Sequence, residues 1–479
     1  MREKLAGYLN FYLFITFSLG IILGSRLPSF IPLFLLCLIA LFLAHRFYRK
    51  NKLFLSDVFV LLSFFFLGAV WIVPHFYHKV DTFLGEQNPV TLTVTSLPQE
   101  ANFKNVFSAK VKTIHSVPIS FKVKVFDYTK TMKYLHSYRL RTTLRKRIYH
   151  GRSFYRLWVK AYTPIEELPQ TLWDRYRARC VYFFLGVFEK NVTDEAYRFL
   201  ASVFLGRREL LGLQKNAFLR AGASHLLAIS GLHIGLTSLS LFFLLRFFHI
   251  HFKMSLIFTM IFLCLYTFLT GASPPTQRAV IMYTIFVLSF FVKRKINPLN
   301  TLGVAGLISL LINPSSIYGV GFQLSFLSVF AIILGFRILP LKTPRNVIVR
   351  YVHYIFFSSL FVVLIISPLV SYYFGKIYTL SIFYNVILIP FFALILMVNF
   401  LLIIFSPLLF CARSIGMILS VLIRIFNRCM SVLGSVQFST FSVHLSQEAI
   451  FAYYLVLGIA LILFTKKWSK TGKTQKVPK

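Results

Sequence analysis

From Leu210 to Gln447 the chain contains no aspartate and no glutamate, yet the same stretch carries sixteen lysines and arginines. It consists mostly of apolar runs separated by short basic clusters. Such a segment has too little polar surface to coat a soluble domain. The whole chain, 57% hydrophobic with a mean hydropathy of +0.72, has the composition of a polytopic membrane protein. An interior built from this stretch carries a positive field. That disfavours a cation channel lined by carboxylates, a carboxylate proton relay and any metal site that needs Asp or Glu. The excess of 52 Lys+Arg over 14 Asp+Glu, a formal charge of +38, suits a polyanion or the anionic face of a membrane.

Apolar runs fall near 10–24, 30–45, 55–73, 226–245, 254–270, 276–292, 298–312, 320–338, 352–373, 380–406, 414–434 and 448–464. Several are short of the roughly 20 residues that a full span needs, so some are expected to be tilted or re-entrant. The basic clusters are Arg46/Arg49/Lys50/Lys52, Arg246/Lys253, Lys293/Arg294/Lys295, Lys342/Arg345/Arg350 and Lys466/Lys467/Lys470. About twelve crossings put every cluster on the cytoplasmic side, with both termini inside and 79–165 outside. Arg2 and Lys4 before the first run resemble a signal peptide. No A-x-A site follows and a second run begins at Phe30, so the segment reads as a retained span. The five cysteines form no CxxC and imply neither a disulfide framework nor a zinc site.

Segment 79–165 breaks the helical pattern. "VTLTVTSL", "NVFSAKVKTI", "ISFKVKVFDY", "HSYRLRTTLRKR" and "SFYRLWVKAY" read as five short strands, the number in a small OB-like barrel. Its outward positions are basic: Lys110 and Lys112, Lys122 and Lys124, Arg139 and Arg141, Arg156 and Lys160. Sixteen Lys/Arg against four acids leave the segment at +12, with Tyr138, Tyr155 and Trp158 among the charges. Cations for phosphates and flat rings for bases are what a single-strand binder needs; a solvated face of a basic protein would look the same. Segment 166–224 contains "WDRYRARCVYFFLGVF", which reads as an amphipathic interfacial helix. The tail 465–479 holds six lysines and reads as disordered. Its "TGKT" lacks the first glycine and the preceding strand of a P-loop, so no ATP site is expected.

Within the apolar stretch, "HLLAISGLHIGL" (225–236) concentrates polar and small residues. Wound as a helix, Ser230, His233, Thr237 and Ser240 share one arc, expected to line an aqueous path. Ser224, Ala228, Gly231 and Gly235 form a small-residue stripe, expected to pack helices. His225 falls outside the polar arc, at the outer end. Ser230 and His233, three apart, could touch, as in an intramembrane hydrolase or in a buried hydrogen-bonded pair. "TGASPPTQRAVIM" puts Arg278 in the first turn of a helix, against the dipole's preference, where backbone N–H groups and the guanidinium could meet a phosphate; an arginine snorkelling to the interface is the plainer reading. "NPSSIYGVGFQLSF" puts Gln323 in the next span, where helix packing is the plainer reading.

Taken together, "LGRRELL", "FLRAGASHLLAISGLHI", "GASPPTQRA" and "NPLNTLGVAGLISLLINPSSIYGVGFQLSF" in this order resemble the ComEC-type competence proteins, the DNA-internalisation channels of natural transformation. The resemblance covers about 166–464, and 1–165 is similar to the family's N-terminal spans and exported domain. It implies a conduit for single-stranded DNA across the bacterial cytoplasmic membrane. His225, Ser230, Gly231, His233, Arg278 and Gln323 then occupy characteristic positions. Many relatives carry a C-terminal metallo-β-lactamase-like domain. Here the sole H-x-H, His249/His251, lacks the following ligands, so strand degradation would fall to a separate nuclease.

The expected architecture is a polytopic α-helical membrane protein with an inserted exported β-barrel. Its parts are N-terminal spans over 1–78, the barrel over 79–165, interfacial helices over 166–224, a channel domain over 225–464 and the basic tail. No cofactor is implied. Expected partners are single-stranded DNA, the membrane, a periplasmic or surface DNA receptor, a cytosolic helicase or translocase, single-strand-binding proteins and a second copy of the chain. A Ser/His hydrolase and an exporter or flippase of a small or lipid-linked anion are the alternatives.

Overall fold

The computed structural model describes residues 8–24, 30–49, 53–76, 87–101, 104–114, 117–149, 152–160, 163–212, 214–227, 229–292, 297–338, 344–436 and 440–471. The basic loop at Lys293–Lys295 and the end of the tail lie outside them.

Three helices come first: α1 (Leu9–Gly24), α2 (Phe30–Arg49) and α3 (Leu53–Phe76). Gly20 and Gly24 of α1 lie directly against the α3 backbone at Phe65 and Ala69, and Gly68 lies against the Phe17 carbonyl. A Cβ at any of the three would collide with main chain, so this G-x-x-x-G packs helices within the chain.

The barrel follows, with strands β1 (Gln87–Val94), β2 (Gln99–Ala101), β3 (Lys104–Ile114), β4 (Val117–Asp127), β5 (Ser137–Tyr149), β6 (Arg152–Val159) and β7 (Ile165–Leu168). The five long strands pair in the order β1-β3-β4-β6-β5, and β1 pairs again with β5 to close the cylinder. β4 and β6 are parallel and the other barrel pairs antiparallel, an arrangement compatible with the expected OB-like fold. Alternation does the sorting. Val123 and Val125, Leu140, Thr142 and Leu144, and Leu157 and Val159 point inward, while the residues alternating with them face outward. The register shift at Thr91/Leu92 bends β1 so that it serves two partners.

The helical body comprises α4 (Leu172–Asn191), α5 (Asp194–Val203), α6 (Gln214–Arg220), α7 (Gly231–Phe247), α8 (Phe252–Leu269), α9 (Pro274–Val292), α10 (Pro298–Ile312), α11 (Val320–Ile338), α12 (Val347–Phe374), α13 (Ser381–Phe405), α14 (Leu409–Ser435) and α15 (Gln447–Thr471). Each apolar run expected from the sequence contains a helix, although the one expected over 226–245 begins only at Gly231. Among the described residues six helices are long and apolar enough to cross a membrane: Phe252–Leu269, Pro275–Val292, Val320–Ile338, Val347–Phe374, Ser381–Phe405 and Leu409–Ser435. The apolar helices α1, α7 and α10 are shorter, at 16, 17 and 15 residues, and α2, α3 and α15 contain the apolar stretches Leu36–Arg46, Asp57–Val70 and Gln447–Leu461.

The barrel is docked, not tethered. Tyr134 and Leu135, on the loop between β4 and β5, are buried in the core of the helical body and not in the barrel's own. The Arg207 guanidinium lies 4.0 Å from the Tyr134 ring centroid and donates to the Thr95 carbonyl at 3.2 Å. Gln170 donates to the Leu135 carbonyl at 3.3 Å.

Candidate functional site

The next residue after the docking arginine, Arg208, lines a cavity of about 1370 Å³. Its walls are α7, α9, α11, α12 and α13, joined by His225 and Tyr378. The lining is largely apolar, with serines interspersed: Ser325 and Ser328 on α11, Ser358, Ser359 and Ser367 on α12. Arg208 and Arg278 bring charge to the wall and no carboxylate does so among the described residues. Beyond Ser238, Tyr283 and Ile389, no residue of α7, α9 or α13 reaches the cavity, which therefore ends partway along these helices.

Arg278 is only 4% exposed. Its Nη1 donates to the Ser325 carbonyl at 2.7 Å, its guanidinium sits 5.5 Å from the Phe326 ring centroid, and its Nε has no hydrogen-bond partner. No acid lines the wall beside it among the described residues. Burying a cation without an anion costs several kcal/mol in principle, so the site is poised to gain from one. Gly231 makes room for it: a Cβ there would stand 2.5 Å from Arg278 Nη2. Helix α9 begins at Pro274, after Ser273, whose hydroxyl contacts Thr276 Oγ1 at 3.0 Å.

The signature stretch folds differently from the single wound helix the sequence suggests. Ser224–Leu226 is a 3₁₀ turn, and Ser230, with extended φ −122° and ψ 176°, is the N-cap of α7. Its hydroxyl makes no capping bond and instead meets His233 Nδ1 at 3.2 Å. Along α7 the expected roles are exchanged for His233 and Thr237 on one side and for Gly231 and Gly235 on the other, while Ser230 lines the cavity as expected. His233 and Thr237 are buried against the protein, the imidazole edge-on to Phe392 at 4.7 Å, with His233 Nε2 and Thr237 Oγ1 unpartnered. Of the small stripe, Gly231 and Gly235 line the cavity, beside Ser238 and, from the polar arc, Ser230. The physical reason is volume: a face without side chains leaves space, and nothing lies within 4 Å of a Cβ built at Gly235. Of the remaining stripe, the Ser224 side chain and Ala228 lie outside the described residues.

His225 lines the cavity, its Nδ1 3.3 Å from the Gly222 carbonyl. Gln323 does not reach the cavity. It donates to the Ile317 carbonyl at 2.9 Å and accepts from Tyr373 at 2.8 Å, tying the 3₁₀ turn Pro314–Tyr318 and α12 to α11. No group of three or more metal-ligating side chains occurs among the described residues.

On the barrel, Lys110, Lys112, Lys124, Arg139, Arg141 and Lys160 are exposed and Arg156 half-buried. The side chain of Lys122 lies outside the described residues, although its backbone pairs with Lys110. Register assembles a row that the sequence does not show: Ser108, Lys124, Arg156 and Arg145 are successive partners across β3, β4, β6 and β5. Beside it, Phe126 and Trp158 stack at 5.3 Å and 14°. Lys104 and Lys124 lie 5.1 and 5.8 Å from the Phe126 ring centroid, Arg156 6.0 Å from it, and Arg145 5.5 Å from that of Trp158. Phe126, Arg145 and Lys104 were legible only as alternating residues; pairing, not spacing, unites them. Tyr138, expected among the charges, is instead buried in the barrel. Its hydroxyl accepts the Lys133 N–H, and burial raises its phenol above the ordinary range. Arg139 is partly neutralised by Glu166 of β7 at 3.3 Å.

The profile of the family described as Competence protein matches residues 204–468, more than half of the chain and all of the cavity-lining helices. The chain belongs to the competence protein family. It is 32% identical to ComE operon protein 3 of Bacillus subtilis over 178 residues, 37% of this chain and 22% of that protein. An uncharacterised protein of Aquifex aeolicus is 32% identical over 184 residues, 37% of this chain and 42% of its own length. Recombination protein 2 of Haemophilus influenzae is 26% identical over 196 residues, 38% of this chain and 25% of its own. The match thus spans less than half the length of these relatives. No solved structure matches the chain. Family membership agrees with the ComEC-type resemblance of the sequence motifs.

Proposed function

We propose that this protein conducts single-stranded DNA across the bacterial cytoplasmic membrane during DNA uptake. One observation carries the reading: a cavity of about 1370 Å³, larger than the roughly 300–1,000 Å³ of small-molecule pockets, is walled by five helices free of carboxylates and lined by Arg208, the neighbour of the arginine that meets the basic barrel. A phosphate moving into such a slab loses hydration. A positive wall offsets part of that loss, and an apolar wall with scattered hydroxyls holds no base tightly enough to stop it.

In this reading the chain crosses the membrane about twelve times with both termini cytoplasmic and the barrel outside. Lys110, Lys112, Lys122, Lys124, Arg141, Arg156 and Lys160 engage phosphates on the barrel, with Arg139 contributing less because of Glu166. Trp158 and Phe126 offer ring surface. Arg278, His225, Ser230 and Gly231 line the path, while His233, Thr237 and Gln323 hold its walls. In this reading a surface receptor, a nuclease, a cytosolic translocase and single-strand-binding proteins act with it. Labelled DNA supplied to a deletion strain tests this. Surface-bound DNA should persist while the nuclease-resistant cytosolic pool stays empty, and the intact gene should refill it. A normal cytosolic pool in the deletion strain would contradict the reading.

The 3.2 Å contact between Ser230 and His233 Nδ1 favours a second reading, a Ser/His hydrolase with Ser230 on the cavity wall. Against it, His233 Nε2 has no orienting partner. A fluorophosphonate probe that labels the protein, with no labelling of Ser230→Ala, would favour the hydrolase.

A further inference from the structure

The cavity ends partway along its helices, so anything that passes through requires a wall to move. Two of the five walls contain an internal proline, Pro368 in α12 and Pro390 in α13; α7 and α11 contain none, and α9 has prolines at its start alone. A proline has no N–H, so the carbonyl four residues earlier loses its helical donor. Those carbonyls belong to Leu364 and Val386. Each is met by a tyrosine hydroxyl from another helix. Tyr453 of α15 donates to Leu364 O at 2.8 Å, and Tyr351 of α12 donates to Val386 O at 3.2 Å. The neighbouring Tyr454 donates to Ile365 O at 2.7 Å. The breaks adjoin the wall itself, since Ser367 and Val370 flank the first and Ile389 precedes the second.

We propose that Tyr453 and Tyr351 are positioning residues that latch the proline breaks of α12 and α13 and so set the bore of the cavity. A freed carbonyl in an apolar setting demands a donor, and each hydroxyl supplies one only while its helices keep this relative position. Releasing the hydroxyl leaves the break free to bend. A Tyr→Phe substitution removes the hydroxyl and keeps the ring, so it tests the bond apart from the packing.

A double-substitution cycle on the full chain in native membranes tests the latch. With the natural cysteines replaced, Ser358→Cys reports on the deep wall of α12 through its rate of labelling by a membrane-impermeant maleimide. Tyr453→Phe should raise that rate several-fold. In a Pro368→Ala background the backbone N–H returns to bond Leu364 O, so Tyr453→Phe should leave the rate unchanged. The same cycle with Tyr351→Phe and Pro390→Ala provides a second, independent pair should one variant fail to reach the membrane. An unchanged rate in Tyr453→Phe, or an increase that persists in full with Pro368→Ala, would overturn the proposal. The latch stands apart from the conduit reading except for one arm: if the labelling cycle behaves as expected and DNA uptake does not change in Tyr453→Phe, the latch holds and the conduit reading suffers.

Discussion

The barrel and the helical body are both basic, but they carry their charge in opposite ways. On the barrel, many cations stand in water, spread over four strands, with one of them offset by a neighbouring glutamate. In the helical body, the Arg278 guanidinium is buried on the wall of a cavity whose described lining holds no acid and whose other cation is Arg208. Solvated charges act by number and are screened by salt; a desolvated one acts singly and strongly. Under the proposed conduit function, the difference assigns two tasks, collection of a polyanion at the surface and passage of one phosphate at a time through the slab.

The largest effect should come from Arg278. Arg278→Ala should lower transformation by roughly 100-fold, the size of a charge-assisted bond of about 3 kcal/mol, while surface-bound DNA is unchanged. Arg278→Lys should not rescue it, because an ammonium lacks the planar fork that holds Ser325 O while presenting other donors. Retained transformation in either variant would erase the contrast between the two regions.

Next comes the glycine stripe, which sharpens the comparison. Gly231→Ala places a methyl group against Arg278 Nη2 and should reduce uptake by roughly tenfold, equivalent to about 1.4 kcal/mol. Gly235→Ala, with nothing within 4 Å, should be close to silent. Equal effects at both positions would mean that helix propensity, not the guanidinium, is being measured.

How much of this was readable beforehand follows from what each signal depends on. Barrel strands and helices were legible because alternation and long apolar runs are local. The fold of "HLLAISGLHIGL" was not, since Ser230 has the extended backbone of an N-cap and a helical wheel run through it carries the wrong phase. The face of α7 that meets the cavity could not be read either. A polar arc demands partners, but the partner proved to be Phe392, and the open face belongs to glycines. The Phe126–Trp158 stack depends on the parallel pairing of β4 with β6, which no spacing encodes.

Smaller effects are expected on the barrel. Trp158→Ala should weaken single-strand binding by about 1–3 kcal/mol with little change in salt dependence. Removing the charges of Lys124 and Arg156 together should lower the log–log salt slope by roughly 0.7 for each phosphate left without its cation. Arg139→Ala, already paired with Glu166, should change it least. A larger drop in slope at Arg139 than at Lys124 would reverse this ranking and move the DNA-binding surface toward β7.

The central claim is that DNA passes through the cavity between α7, α9, α11, α12 and α13. A photoreactive residue during uptake tests it most directly. With p-benzoylphenylalanine in place of Ser328, on the cavity wall, illumination should join labelled DNA to the protein. The same replacement at Phe243, on the exposed apolar face of α7, should not. Cross-linking at Phe243 with none at Ser328 would contradict the account.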